Sequence, residues 1–208
     1  MANINKMTYP LFFNQVETIK LYDPISEFLG VFEQGLVEFS YLDIVKTAGH
    51  SCATVAGAYL VTLKALKELY PHSVPERGGI RVSIRNSFDE GVTGVIATVI
   101  SQITGATEIS GFKGIATKFV RHSLMDFNAD IMGEYQFTRL DTGASVVLVY
   151  EPNIPIDSRQ QELMQKSLMG SASDEEKALF GHIWQERVRK ILLYKGETPL
   201  VKIIQTQK

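Results

Sequence analysis

The stretch from Cys52 to Tyr70, CATVAGAYLVTLKALKELY, can be buried efficiently in only one way. Val55, Tyr59, Leu63, Leu66 and Tyr70 recur at helical spacing and fall on one stripe, and Pro71 cannot continue the helix. A long helix with an apolar stripe needs a partner surface, and the next segment supplies one. GIRVSIR, residues 79 to 85, sets Ile80, Val82 and Ile84 against Arg81, Ser83 and Arg85, the period-two pattern of a half-buried strand. Helical spacing then returns, with Val92, Val95, Ile96, Val99, Ile100 and Ile103 ahead of Gly105 as a stop. EYQFTRLDTGASVVLVYE reads as two strands joined around Asp141, Thr142 and Gly143. The expected fold class is α+β, with a mixed or antiparallel sheet packed against long helices and a C-terminal helical segment.

The flanks are consistent with this frame. TIKLY (18–22) reads as a strand or extended arm, and Asp23 with Pro24 makes a helix start for a short helix from Pro24 to Phe32. Toward the C-terminus a helix is expected from Ser158 to Met169, then a GSAS turn and a second helix opening at Ser173, where Ser173 and Glu176 have capping-box spacing. Phe180, Ile183, Trp184, Val188 and Ile191 form its apolar stripe, while Arg187, Arg189 and Lys190 suit the negative end of its dipole. PLVKII reads as an edge strand. With no repeat or linker, residues 1–208 are expected to form a single domain: an N-terminal arm and short helix (1–38), a core (40–155), and C-terminal helices with an edge strand (156–208).

Composition narrows the partners. A net charge of −2 and scattered basic residues give no electrostatic footprint for nucleic acid. The amino terminus, MANINKMTYPLFFNQ, has an apolar run too short for a signal peptide or a membrane span, so a cytoplasmic protein without a membrane partner is expected.

Cys52 is the only cysteine, so an intrachain disulfide and a Cys-rich zinc site are both excluded. Any metal would need histidine or carboxylate ligands as well. Of the four histidines, at 50, 72, 122 and 182, only His50 lies near the thiol in sequence. If the backbone is extended before the helix begins, His50 and Cys52 face one point, with Cys52 in the first helical turn. Free amides and the positive end of the dipole favour a thiolate there, which can act as a nucleophile or a metal ligand. A catalytic zinc needs three protein ligands, and the pair supplies two. A small buried cysteine beside a helix-capping histidine accounts for the same residues. Lys113, between Phe112 and Gly114, could pair with an anionic ligand or simply be a solvated lysine on a turn. Arg121 and His122 suit a half-exposed strand or helix end, His72 and His182 read as structural or solvated, and Phe180, Trp184 and Tyr59 read as core.

Several segments resemble one family. AGHSCATVAGAYLVTLKAL is similar to the GHxC-containing opening of the FmdE family, named after a formylmethanofuran dehydrogenase. EGVTGVIATVISQITGAT resembles that family's Cys-Gly-Val helix ending in a Thr-Gly-x-Thr turn, GFKGI resembles its glycine-flanked lysine, and GSASDEEKALFGHIWQERVRKIL resembles its terminal helix. These matches run from about residue 40 to 194. The resemblance implies an α+β fold, often dimeric, with a metal, usually zinc, near the His and Cys of the GHxC segment. It does not carry formylmethanofuran chemistry with it, since the family takes its name from an operon neighbour. Two departures stand out: Ala53 follows Cys52 where many relatives have proline, and Glu90 stands where the family has a second cysteine. A carboxylate can bind zinc, and an acid at a helix start can also be only that.

The resulting expectation is an FmdE-like homodimer that binds a divalent metal, zinc first, through His50, Cys52 and Glu90. Lys113 would assist a small polar or anionic ligand, which could undergo metal-assisted chemistry. The alternatives are a metal-independent thiol enzyme using Cys52 with His50, and a haem or tetrapyrrole carrier or sensor.

Overall fold

Tyr22 and Asp23 mark where the N-terminal arm joins the body in the computed structural model, which describes residues 8–208. β1 (Ile19–Tyr22) pairs antiparallel with β2 (Leu36–Phe39), and α1 (Pro24–Phe28) lies between them. Asp23 caps α1 by accepting from the Ser26 amide at 3.3 Å. The helix ends at Phe28 and not at Phe32, because Gly30 turns the chain at φ +66 and leaves Val31 and Phe32 exposed. Neither β2 nor the next element, α2 (Tyr41–Ala48), was expected; α2 opens with Ser40 and Asp43 exchanging side-chain and backbone bonds.

α3 (Ala53–Leu69) is the central helix. Val55, Tyr59 and Leu66 are buried as their spacing predicts, and Cys52 sits one residue ahead of the helix as its cap. β3 (Ile80–Ile84) buries Ile80, Val82 and Ile84. α4 (Thr93–Thr104) ends at Gly105 in the left-handed conformation, although Val92, expected on its buried stripe, is an exposed cap residue. β4 (Met125–Asp126) runs parallel to β3, whereas β5 (Tyr135–Arg139) and β6 (Ser145–Tyr150) continue antiparallel. α5 (Gln160–Leu168) and α6 (Asp174–Leu192) form a helical pair, and α6 opens with the expected Ser173–Glu176 capping box. β7 (Val201–Gln207) then completes the sheet.

The fold is α+β: a mixed five-stranded sheet in the order β4-β3-β5-β6-β7, with a separate two-stranded antiparallel sheet at the N-terminal end. Cross-strand partners Phe137 and Val146, and Tyr135 and Leu148, put their side chains into the core that α3 covers. Each fully buried side chain of this size contributes about 1.5–3 kcal/mol. α3 touches α4 and α6 as well as β6 and β7, so the helix is held from several directions. Among the described residues, no helix is long and apolar enough to cross a membrane.

One ionic cluster ties the arm to this body. The Asp23 carboxylate accepts from Arg121 Nη2 at 2.8 Å and Arg77 Nη1 at 2.9 Å, and Arg77 also donates to the carbonyls of Gln102 and Ile103 near the end of α4. Arg121 is therefore buried, not half-exposed. Gly105 makes room for it: a Cβ there would lie 2.1 Å from Arg121 Nη1.

Candidate functional site

α2 ends at Gly49, whose φ of +75 lets the chain reverse where other residues are strained. Ser51 is then pinned to α6. Its carbonyl accepts from the Trp184 indole N–H at 2.8 Å and from Gln185 Nε2 at 3.3 Å, and its hydroxyl donates to Gln185 Oε1. The Tyr41 hydroxyl lies 3.1 Å from the Ser51 hydroxyl. Cys52, extended at φ −148, then caps α3, with the Val55 amide donating to Sγ at 3.4 Å.

The flanking residue completes a pair. His50 Nε2 lies 3.4 Å from Cys52 Sγ, and His50 Nδ1 lies 2.9 Å from the Ala48 carbonyl oxygen. That carbonyl can only accept, so the ring proton belongs on Nδ1 and the basic lone pair of Nε2 faces the sulfur. Two donor atoms thus converge at the N-terminal end of α3, with the Val55 amide directed at the sulfur. Desolvation pushes the hydroxyls of Tyr41 and Tyr150 up, so both stay neutral; Tyr150 donates to the Ala53 carbonyl and supports the turn from below.

His50 is exposed and Cys52 half-buried, and both open onto a cleft of about 400 Å³ whose other walls include Thr54, Gln160, Trp184 and Arg187. An apolar groove of about 370 Å³ runs between Leu60 and Leu63 of α3 and residues 191–201, but no histidine, cysteine or acid lines it. Of these two, the first cleft holds the His–Cys pair.

The structure brings His50 and Cys52 together and leaves Glu90 and Lys113 outside their cleft. Glu90 is exposed in the turn before α4, where its amide bonds Ser87 and its carbonyl bonds Thr93. Lys113 is exposed on the loop after α4, beside exposed Phe112. Among the described residues, no group of three or more His, Cys, Asp or Glu is placed to hold a metal. His72 and His182 are exposed, and His122 bonds only its neighbour Ser123 through its ring. Trp184, read from sequence as core, packs against the core and is also a wall of the cleft, as are Gln160 and Arg187. The spacing of Trp184, Arg187 and Val188 could have signalled a shared helix face, but not which surface that face meets.

No family model matches the chain, and a comparison with curated proteins finds no match.

Proposed function

We propose that His50 and Cys52 are the ligands that one chain contributes to a divalent metal, zinc first, in a cleft open to a small polar or anionic molecule. The carrying observation is the separation of their donor atoms. Zn–S of about 2.3 Å and Zn–N of about 2.05 Å at a tetrahedral angle require S and N about 3.6 Å apart. Cys52 Sγ and His50 Nε2 are 3.4 Å apart before any ion is considered. The Nδ1–H bond to the Ala48 carbonyl supports the same reading, since a ligating histidine commonly donates its other ring proton to an oxygen that orients it.

A divalent metal bound there would supply Lewis acidity toward a carbonyl or a water molecule. The chain's own part is to hold the two donors, exclude solvent on the Trp184 side and present Thr54 and Gln160 to whatever enters. The remaining coordination positions fall to that molecule and to a second copy of the chain. FmdE-like character, homodimerisation and a cytoplasmic location, where a free thiol stays reduced, belong to the same proposal. Elemental analysis of protein purified without added metal tests it. Bound metal that Cys52→Ala and His50→Ala each remove is the expected result; substoichiometric metal unchanged by Cys52→Ala overturns it.

The Val55 amide aimed at sulfur and the want of a third ligand among the described residues favour a second reading, in which Cys52 is a nucleophile. Its proton passes to His50 Nε2 as sulfur adds to a carbonyl carbon, whose π electron pair moves onto oxygen. Alkylation separates the two. Fast reaction near neutral pH in protein that carries no metal supports the nucleophile, whereas protection that a chelator lifts supports the ligand.

A further inference from the structure

We infer that Arg187 is the recognition residue of the His50–Cys52 cleft, and that the cleft takes a small carboxylate. The inference rests on that cleft being the working site, and it holds for either reading of Cys52.

No acid lines the cleft, and Arg187 is its only permanently charged wall. Among the described residues its guanidinium makes no ion pair or hydrogen bond, and its Nε is buried without a partner. Acids do stand nearby, where Arg187 also borders a smaller hollow with Asp157 and Glu186. Both are taken: Asp157 binds Arg159 at 2.9 Å, and Glu186 binds Arg189 through two bonds of 2.7 Å. Nε is enclosed, whereas the two Nη atoms have no protein partner among the described residues and are left for an arriving acceptor. The planar fork of arginine matches a carboxylate in geometry as well as charge.

Gln160 lines the same cleft, with its Oε1 enclosed. Trp184 adds bulk and not polarity, because its only N–H is already committed to the Ser51 carbonyl. A cleft of about 400 Å³ with these walls fits a compact molecule whose carboxylate meets Arg187 while its other end reaches Sγ and Nε2. Arg187 thus takes the anion-pairing role that the sequence offered to Lys113.

Iodoacetate and iodoacetamide test this directly, since they deliver the same electrophile with and without a carboxylate, and Cys52 is the only thiol to count. Both rates are measured in chelator-treated full-length protein and for N-acetylcysteine in the same buffer. The iodoacetate-to-iodoacetamide ratio of the protein should exceed that of N-acetylcysteine by about tenfold, or about 1.4 kcal/mol. Arg187→Gln should bring the ratio down to that of N-acetylcysteine, and Arg187→Lys should keep part of the preference. A wild-type ratio no higher than that of N-acetylcysteine overturns the inference without any variant having to fold. A Cys52 that neither reagent reaches overturns the cleft as a working site, and the inference with it. Failure of the metal proposal registers separately, in the elemental analysis.

Discussion

Replacing Asp23 with alanine strands the buried Arg121 guanidinium without its carboxylate. The Asp23 side chain is 2% exposed and Arg121 8%, with their atoms 2.8 Å apart. Arg77 keeps two carbonyl partners after the change, but Arg121 loses its ionic partner, and its Nη1 is already without a hydrogen bond. Breaking a buried pair by removing one member costs about 3–5 kcal/mol, and losing the α1 cap adds about 1 kcal/mol. With a urea slope of about 2 kcal/mol per molar, the unfolding midpoint should fall by about 2–3 M. Urea denaturation of wild type, Asp23→Ala, Arg121→Ala and the double variant measures this, and the double variant should be much less damaged than the sum of the singles. A loss below about 1 kcal/mol for Asp23→Ala, or simple additivity, refutes the reasoning.

The same carboxylate makes an acid-dependent contribution. Burial alone would raise the pKa of Asp23, but the Arg77 hydrogen bond, the Arg121 charge and the Ser26 amide outweigh it and hold the group below the ordinary carboxylate range. Its folded pKa is thus lower than its unfolded one. The stability it adds is complete above the unfolded value of about 3.9 and disappears as pH falls through the folded value. Asp23→Ala should lose that acid limb of the stability curve, which urea midpoints measured from pH 6 downward will show.

Three further outcomes follow from particular contacts. A Cβ at Gly57 would sit 2.2 Å from the Tyr150 ring, so Gly57→Ala should destabilise by about 1–3 kcal/mol, read as a lower melting temperature. Trp184 is the only tryptophan and lines the cleft, so Co²⁺ binding at His50 and Cys52 should quench its emission in wild type and leave Cys52→Ala unchanged at the same concentration. Ser173→Ala removes one side of the capping box that opens α6 and should cost about 1 kcal/mol in urea denaturation, whereas Ser173→Asp should be nearly neutral.

Much of the element list was legible because burial has a period. Ile80, Val82 and Ile84 alternate in sequence and are all buried, and the stripe from Val55 to Leu66 is helical in both descriptions, with Tyr70 as the residue that ends the helix. The misses have local causes. LVEF is too short and too exposed for its alternation to register, and the capping signal of α2 uses Asp43 where the usual pattern has glutamate or glutamine. The two residues of β4 carry almost no pattern, and their parallel pairing with β3 spans a long connection.

The sequence by itself determined the proximity of His50 and Cys52. His50 and Cys52 stand two residues apart between a glycine that reverses the chain and the first turn of a helix, so backbone geometry over a few residues is enough to converge them. Only the tertiary structure decided what surrounds the pair. Trp184 reaches Ser51 across 133 positions and Arg121 reaches Asp23 across 98, and no periodicity records which face of one helix meets which turn of another. Packing chose the walls of the cleft, and it left Arg187 there without an acid while its neighbours took the acids nearby.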